Sequence, residues 1–163
     1  MSNAVRFTLI GVAITAAIFG LVIWNQWHAH MELQGSIMKV RTQKTSDADT
    51  IVVVDARIVN PSEYAFIVKD IIPTVTTKTG EKIDGEMVAG VDADRVFAAY
   101  PDLGQKFNPA VKFKDRLAPG QTADRTILVT FKAPVALIES RKNLLIHFDE
   151  LNNASAEIVE HVK

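Results

Sequence analysis

Between Phe7 and Trp24 the chain reads FTLIGVAITAAIFGLVIW, 18 residues without a charged side chain. At about 1.5 Å of rise per residue, a helix over this run is about 27 Å long, close to the hydrocarbon thickness of a bilayer. A segment apolar on every side has to be covered by lipid or by protein, so this run restricts the fold before any other feature. Arg6 precedes it, and Trp24 and Trp27 stand at its far end, where indole rings favour the headgroup region. These three are the expected membrane-interface residues. A cleaved signal peptide would need a shorter apolar core and a small-x-small site, whereas this run leads straight into WNQWHAHM. The expectation is an uncleaved single-pass anchor over residues 1–27.

Arg6 and the α-amine sit directly at one end of the run, while Lys39, Arg41 and Lys44 are well removed from the other. The positive-inside rule weights charges close to the span, which places the N-terminus in the cytoplasm and the C-terminal part outside, in a bacterium the periplasm. Within the run Ala13, Ala16, Ala17 and Gly20 fall on one helix face at about 100° per residue. Small side chains there let a second helix approach closely, so these four are the expected helix-packing residues.

The rest of the composition excludes several classes. Lys+Arg number 18 against 19 Asp+Glu, a net charge of −1, without the cationic surplus that a nucleic-acid binder needs. With no cysteine, a disulfide scaffold, a thiolate zinc site, a Cys nucleophile and an acylated cysteine are all ruled out.

After a link over 28–35, in which Gly35 is a plausible break, the apolar period switches to two. In IMKVRTQ, Met38, Val40 and Thr42 share one face and Lys39, Arg41 and Gln43 the other. TIVVVDARIVN turns Val52, Val54, Ala56 and Ile58 inward and Asp55 and Arg57 outward, close enough for an exposed ion pair of little worth. A third run, YAFIVKDIIPTVTTK, breaks register near Lys69–Ile71, and Pro73 calls for a bulge or an edge position. Lys78-Thr79-Gly80-Glu81-Lys82 reads as a hairpin loop with Gly80 supplying positive φ. ADRTILVTF turns Ile127, Val129 and Phe131 inward, NLLIHFDEL does so with Leu144, Ile146 and Phe148, and AEIVEHV closes the series. Two short helices are expected, one capped by Asp92 or Asp94 and stopped by Pro101, one begun by Pro134. About seven strands with turns between them predict an immunoglobulin-like antiparallel β-sandwich over 36–163, mostly β overall.

The runs IVVVDARIVNPSEYAFIVKDI, LAPGQTADRTILVTF and ESRKNLLIHFD carry a resemblance. They are similar to the sandwich of late-embryogenesis-abundant type 2 domains and of membrane-anchored bacterial immunoglobulin-like proteins. In those a hydrophobic strand ends in Asn-Pro and a Pro-Gly turn leads into a later strand. Asn60-Pro61 and Pro119-Gly120 match. The resemblance implies a fold and a topology, and it supplies no catalytic residues.

Chemistry-bearing residues do not assemble along the sequence. His28 and His30 point about 160° apart on a helix and have no third ligand, and His161 lies in the tail. His147 stands opposite the Leu144/Ile146/Phe148 face beside Asp149, but a hydrolase also needs a nucleophile, and no Gly-x-Ser-x-Gly elbow occurs. Asp47-Ala48-Asp49 and Asp92-Ala93-Asp94 lack the further oxygen ligands and terminal Glu of an EF-hand and read as a turn and a helix cap. Asn153-Ala154-Ser155 matches a glycosylation sequon by chance. In AVKFKDR, Lys112, Lys114 and Arg116 alternate with Val111 and Phe113, placing three cations on one face. The ladder reads as an edge strand protected by Lys, or as a docking face for an acidic partner or lipid headgroups.

The functional expectation is therefore a non-enzymatic, membrane-anchored structural or binding module without cofactor, metal or nucleic-acid partner. Its expected partners are the bilayer and the subunits of a larger membrane complex. The alternatives are a periplasmic carrier or sensor holding a small apolar or lipid-like ligand between its sheets, and a hydrolase built on His147 and Asp149.

Overall fold

The computed structural model describes residues 3–27, 33–152 and 154–160. The chain divides into two compact units, Met1–His30 and Met31–Lys163.

The first unit is helix α1, Asn3–Trp27. The Thr15 hydroxyl donates to the Gly11 carbonyl at 2.9 Å, so this polar group is satisfied within the helix. Among the described residues no helix is long and apolar enough to cross a membrane. The continuous stretch of α1 with described side chains, 10–23, has 14 residues, about 21 Å of helix and short of a bilayer core. The anchor expected over 1–27 is thus not a finding of the structure, and the side chains of Arg6, Trp24 and Trp27 lie outside the described residues. So do His28, His30, Asn153 and His161.

The second unit is a β-sandwich. Its strands are β1 (Gln34–Lys44), β2 (Thr50–Val59), β3 (Phe66–Thr76), β4 (Lys82–Asp84), β5 (Glu86–Met87), β6 (Arg116–Leu117), β7 (Thr122–Phe131), β8 (Asn143–Glu150) and β9 (Ser155–Val159). One sheet has the order β1-β2-β7-β5 and the other β4-β3-β8-β9, with β6 paired to the start of β3. Short helices α2 (Ala93–Ala99) and α3 (Val135–Glu139) start after Asp92 and Pro134, but the expected carboxylate cap is not made: Asp92 accepts from Arg95 and Asp94 pairs with Lys106. The inner faces are those the alternation predicts. Val52, Val54, Ala56, Ile58, Ile127, Val129 and Phe131 of one sheet pack in a single cluster with Val75, Leu144, Ile146 and Phe148 of the other. Each of these Val, Ile, Leu and Phe side chains contributes about 1.5–3 kcal/mol by leaving water, Ala56 less.

The two turn motifs of the resemblance meet in space. Asn60 is fully buried, and its amide donates to the carbonyls of Tyr64 (2.8 Å), Leu117 (3.0 Å) and Ala118 (3.2 Å). Its Oδ1 accepts from the Ser62 amide and hydroxyl, so one side chain ties the Asn-Pro turn to the Pro-Gly turn. Gly120 (φ 67°) takes the left-handed conformation the Pro-Gly turn needs, and Gly80 (φ 91°) does the same in the β3–β4 hairpin.

Several expectations need correction. In β1 the register shifts between Ile37 and Lys39, so Ile37 and Val40 pack on the core and Met38 is exposed, against the even alternation expected. Gly35 lies inside β1 rather than breaking a link. A Cβ there would come within 2.4 Å of the Arg57 carbonyl oxygen. The bulge of β3 falls at Val68–Asp70. The Pro73 carbonyl accepts from Gly85, just beyond the end of β4, so its donor-less nitrogen faces the side where that ladder stops. The segment expected as a basic edge ladder is a turn: the Asp115 amide donates to Lys112, and Lys114 has φ 61°.

The largest difference concerns β2. Asp55 is buried rather than exposed, and Ile51 and Val53 are buried as well. Ile51, Val53 and Leu128 on the outer face of the first sheet pack against Ala93, Leu103 and Ala110, with Val96, Phe97 and Tyr100 alongside. Residues 88–111 therefore form a strap over this face. A continuous apolar run marks a strand covered on both sides.

Candidate functional site

The strap is fastened at both ends and in the middle. The Val88 amide donates to Leu128 at 2.8 Å, and at the other end Thr126 donates to Pro109 while Val111 donates to Thr126. Gly90 passes so close to this end that a Cβ would lie 2.2 Å from the Val111 carbonyl oxygen. In the middle, Arg41 reaches from β1. Its Nη2 donates to Asp55 Oδ2 at 2.8 Å, and its Nη1 donates to the carbonyls of Leu103 and Gln105. The rings of Phe97 and Phe107 lie 5.5 and 5.2 Å from the guanidinium carbon. A planar cation with a fork of donors suits this mixture of carboxylate, carbonyls and ring faces; a lysine ammonium would match fewer of them. Asp55 Oδ1 accepts from Thr126 at 2.6 Å, directly opposite on β7. The side chains of Arg41 and Asp55 are 11% and 5% exposed, so the pair is a buried ionic latch.

The expected Asp55–Arg57 pair is absent, and each residue has another partner. Arg57 makes a two-pronged contact with Asp124, at 2.7 and 2.9 Å. Hydrogen bonding from Arg57 holds the Asp124 carboxyl below the ordinary aspartate value, and the same bond raises the guanidinium. Lys44 likewise lowers Asp47, in the turn expected there.

At the foot of the strap the turn 112–115 presents Lys112, Phe113 and Lys114 to solvent, and Arg116 follows at the start of β6, also exposed. The Lys114 ammonium lies 5.2 Å from the Phe113 ring centroid. The Lys114 amide donates to Val68 (2.8 Å), and the Val68 amide donates to Asp115 (2.9 Å), so the turn is pinned to β3.

On the outer face of the second sheet, Ile72, Thr74, Lys82, Asp84, Leu145, His147 and Glu157 are among the residues lining a groove of about 440 Å³. His147 does stand beside Asp149, with Nε2 at 3.2 Å from Oδ1, and its Nδ1 is 3.1 Å from Glu157 Oε1. The two carboxylates occupy opposite edges of the ring, and only the doubly protonated imidazole can donate to both. Among the described residues no group of three or more His, Cys, Asp or Glu is placed to hold a metal ion. The Thr74 hydroxyl is engaged by Asp84 at 2.7 Å.

Ala13, Ala16, Ala17 and Gly20 are exposed along α1, and a Cβ on Gly20 would meet nothing within 4 Å. The latch was missed in the sequence because Arg41, Asp55 and the strap carbonyls are far apart in the chain. The signal that could have found its cover was the unbroken apolar run Ile51–Val54.

No family model and no curated protein matches the chain. Among solved structures it is similar to an uncharacterized β-sandwich protein from Clostridium difficile, at 10% identity over 78% of this chain and 84% of that one, with a TM-score of 0.41. It is similar also to the archaellum periplasmic stator protein FlaG from Sulfolobus acidocaldarius, at 10% identity over 78% and 98% of the two chains and a TM-score of 0.31. A chain of the FlaF–FlaG complex from the same organism gives 10% identity, 77% and 87% coverage and a TM-score of 0.32. No residue role follows from likenesses at this level. The late-embryogenesis-abundant type 2 resemblance finds no matching family model, and what stands of it is the β-sandwich, read from the two sheets themselves.

Proposed function

We propose that the chain is a non-enzymatic, membrane-tethered β-sandwich module, an accessory subunit packing against a larger membrane protein complex. One observation carries this reading: the 18-residue uncharged run lies on helix α1, apolar all round, and extends past the described stretch at both ends. The nine large apolar side chains described on α1 are between 49% and 74% exposed. Covering them with lipid is worth on the order of 10 kcal/mol, which no polar surface helix could match. The small-residue face is where a partner helix would pack, and the charge asymmetry around Arg6 supports an extracytoplasmic β unit. The strand orders support immunoglobulin-like topology, because they read as A-B-E-D and C′-C-F-G when β6 is left out.

The non-enzymatic part rests on His147. Both of its ring nitrogens are paired with carboxylates, Asp149 and Glu157, and among the described residues no hydroxyl is hydrogen-bonded to either, so the nucleophile–base contact of a hydrolase is not assembled. The carrier reading is less well supported. Val52, Val54, Ile127 and Val129 of one sheet and Val75, Leu144, Ile146 and Phe148 of the other are at most 1% exposed and fill the space between the sheets.

The test is fractionation of the full chain at native abundance. It is expected to stay in the membrane pellet through an alkaline wash and to co-migrate stoichiometrically with membrane proteins in mild detergent. Release of a product trimmed of its first two dozen residues would refute the tether. A clean monomer in detergent would refute the accessory-subunit role.

A further inference from the structure

We infer that the strap side of the β unit is a docking face for an anionic lipid surface; this rests on the tethered reading above. Among the described residues, the three most exposed large apolar side chains of this unit are Val91, Phe113 and Phe107, at 75%, 62% and 60%. All three lie on the strap or on the turn at its foot, and each has a cation beside it. The Lys39 ammonium is 5.4 Å from the Phe107 ring centroid, Lys114 is 5.2 Å from that of Phe113, and Val91 shares a shallow depression with Lys106 and Lys112. Asp94 lines the same depression, and the residues that follow Lys106 and Lys112 in the chain are Phe107 and Phe113.

Lys106 is paired with Asp94 and Arg95 with Asp92. Lys39, Lys112, Lys114 and Arg116 have no ion-pair partner among the described residues, and on the strap only Asp102 opposes them. A chain with a net charge of −1 thus carries four cations without an ion-pair partner, on the strap turn and the strands next to it, against the one free strap carboxylate of Asp102. Cations meet lipid phosphates while apolar tips enter the layer beneath, so the combination fits a membrane surface. A wholly acidic polypeptide would satisfy the cations but gives the three apolar tips nothing to bury into, whereas a lipid surface meets both. The Phe113 tip is held in place by the backbone: Lys114 adopts φ 61°, uncommon for any residue but glycine, and the turn makes two hydrogen bonds with Val68.

The absence of cysteine allows a single environment-sensitive label at Phe113→Cys, with Lys78→Cys in the β3–β4 hairpin as control. The labelled full chain is reconstituted in vesicles of phosphatidylcholine, with or without phosphatidylglycerol. We expect a blue shift and protection from an aqueous quencher at position 113 only, only with phosphatidylglycerol, and reversed by high salt. Lys112→Gln, Lys114→Gly and Arg116→Gln together should lower the docked-to-free ratio about a hundredfold, at about fivefold per cation; glycine at 114 preserves the turn. Identical spectra in the two lipids would overturn the inference. A response to soluble polyglutamate as large as that to lipid would assign the face to an acidic polypeptide and overturn it equally. Retention in the pellet after an alkaline wash reports the tether alone. A retained chain with a silent label therefore refutes the docking face, and a lost chain refutes the tether.

Discussion

Replacing Arg41 by methionine tests whether the buried latch holds the strap. The substitution keeps an apolar stem of similar length and removes the ionic contact to Asp55, the donors to Leu103 and Gln105, and the cation between Phe97 and Phe107. Asp55, only 5% exposed at its side chain, is left with the Thr126 hydroxyl at 2.6 Å and the Asn108 amide at 3.5 Å as its remaining donors. Breaking a buried pair from one side costs about 3–5 kcal/mol, a large share of the roughly 5–15 kcal/mol of a typical domain. Asp55→Asn should cost less, because Arg41 keeps two carbonyls and two rings. The double variant should fall short of the sum of the singles by about 1–3 kcal/mol, since the stranded charge is gone. Urea unfolding of the full chain in mild detergent gives these values, and amide exchange locates them. In Arg41→Met, the amides of Leu103, Gly104 and Val88 should exchange faster than those of the β3–β8 ladder. A loss below about 1 kcal/mol with unchanged exchange along the strap would refute the reasoning.

Three further outcomes follow from the geometry. Gly90→Ala puts a Cβ 2.2 Å from a backbone oxygen, and at about 1–3 kcal/mol of overpacking it should open the strap to limited proteolysis before the sandwich melts. Asn60→Ala strips the hydrogen bonds from three carbonyls at once; a loss of about 2–3 kcal/mol should appear as a fall in Tm of several degrees. The depressed Asp124 carboxyl contributes stability above its unfolded value and loses it as pH falls through the lower folded value. NMR titration should thus place Asp124 below 3.8, and Arg57→Gln should return it toward that value.

The sequence by itself determined the inner faces, because residues two apart on a strand share a side and a buried side must be apolar. Val52, Val54, Ile127, Val129, Leu144, Ile146 and Phe148 could be read without knowing what they pack against. It also determined the turns at Gly80, Gly120 and Asn60-Pro61, whose chemistry is local, and the uncharged run from Phe7 to Trp24. Tertiary structure alone decided what lies on the outer faces. Asp55 and Arg57 look alike in an alternating pattern, and only the strap arriving from 88–111 buries one and leaves the other at the surface with Asp124. The same holds for Lys112, Phe113 and Lys114, whose alternation predicts a strand until two backbone bonds to Val68 fold them into a turn. Period-two patterning records which side of a strand faces a partner. It carries no information on distant segments, whose placement is fixed by contacts such as those of Arg41.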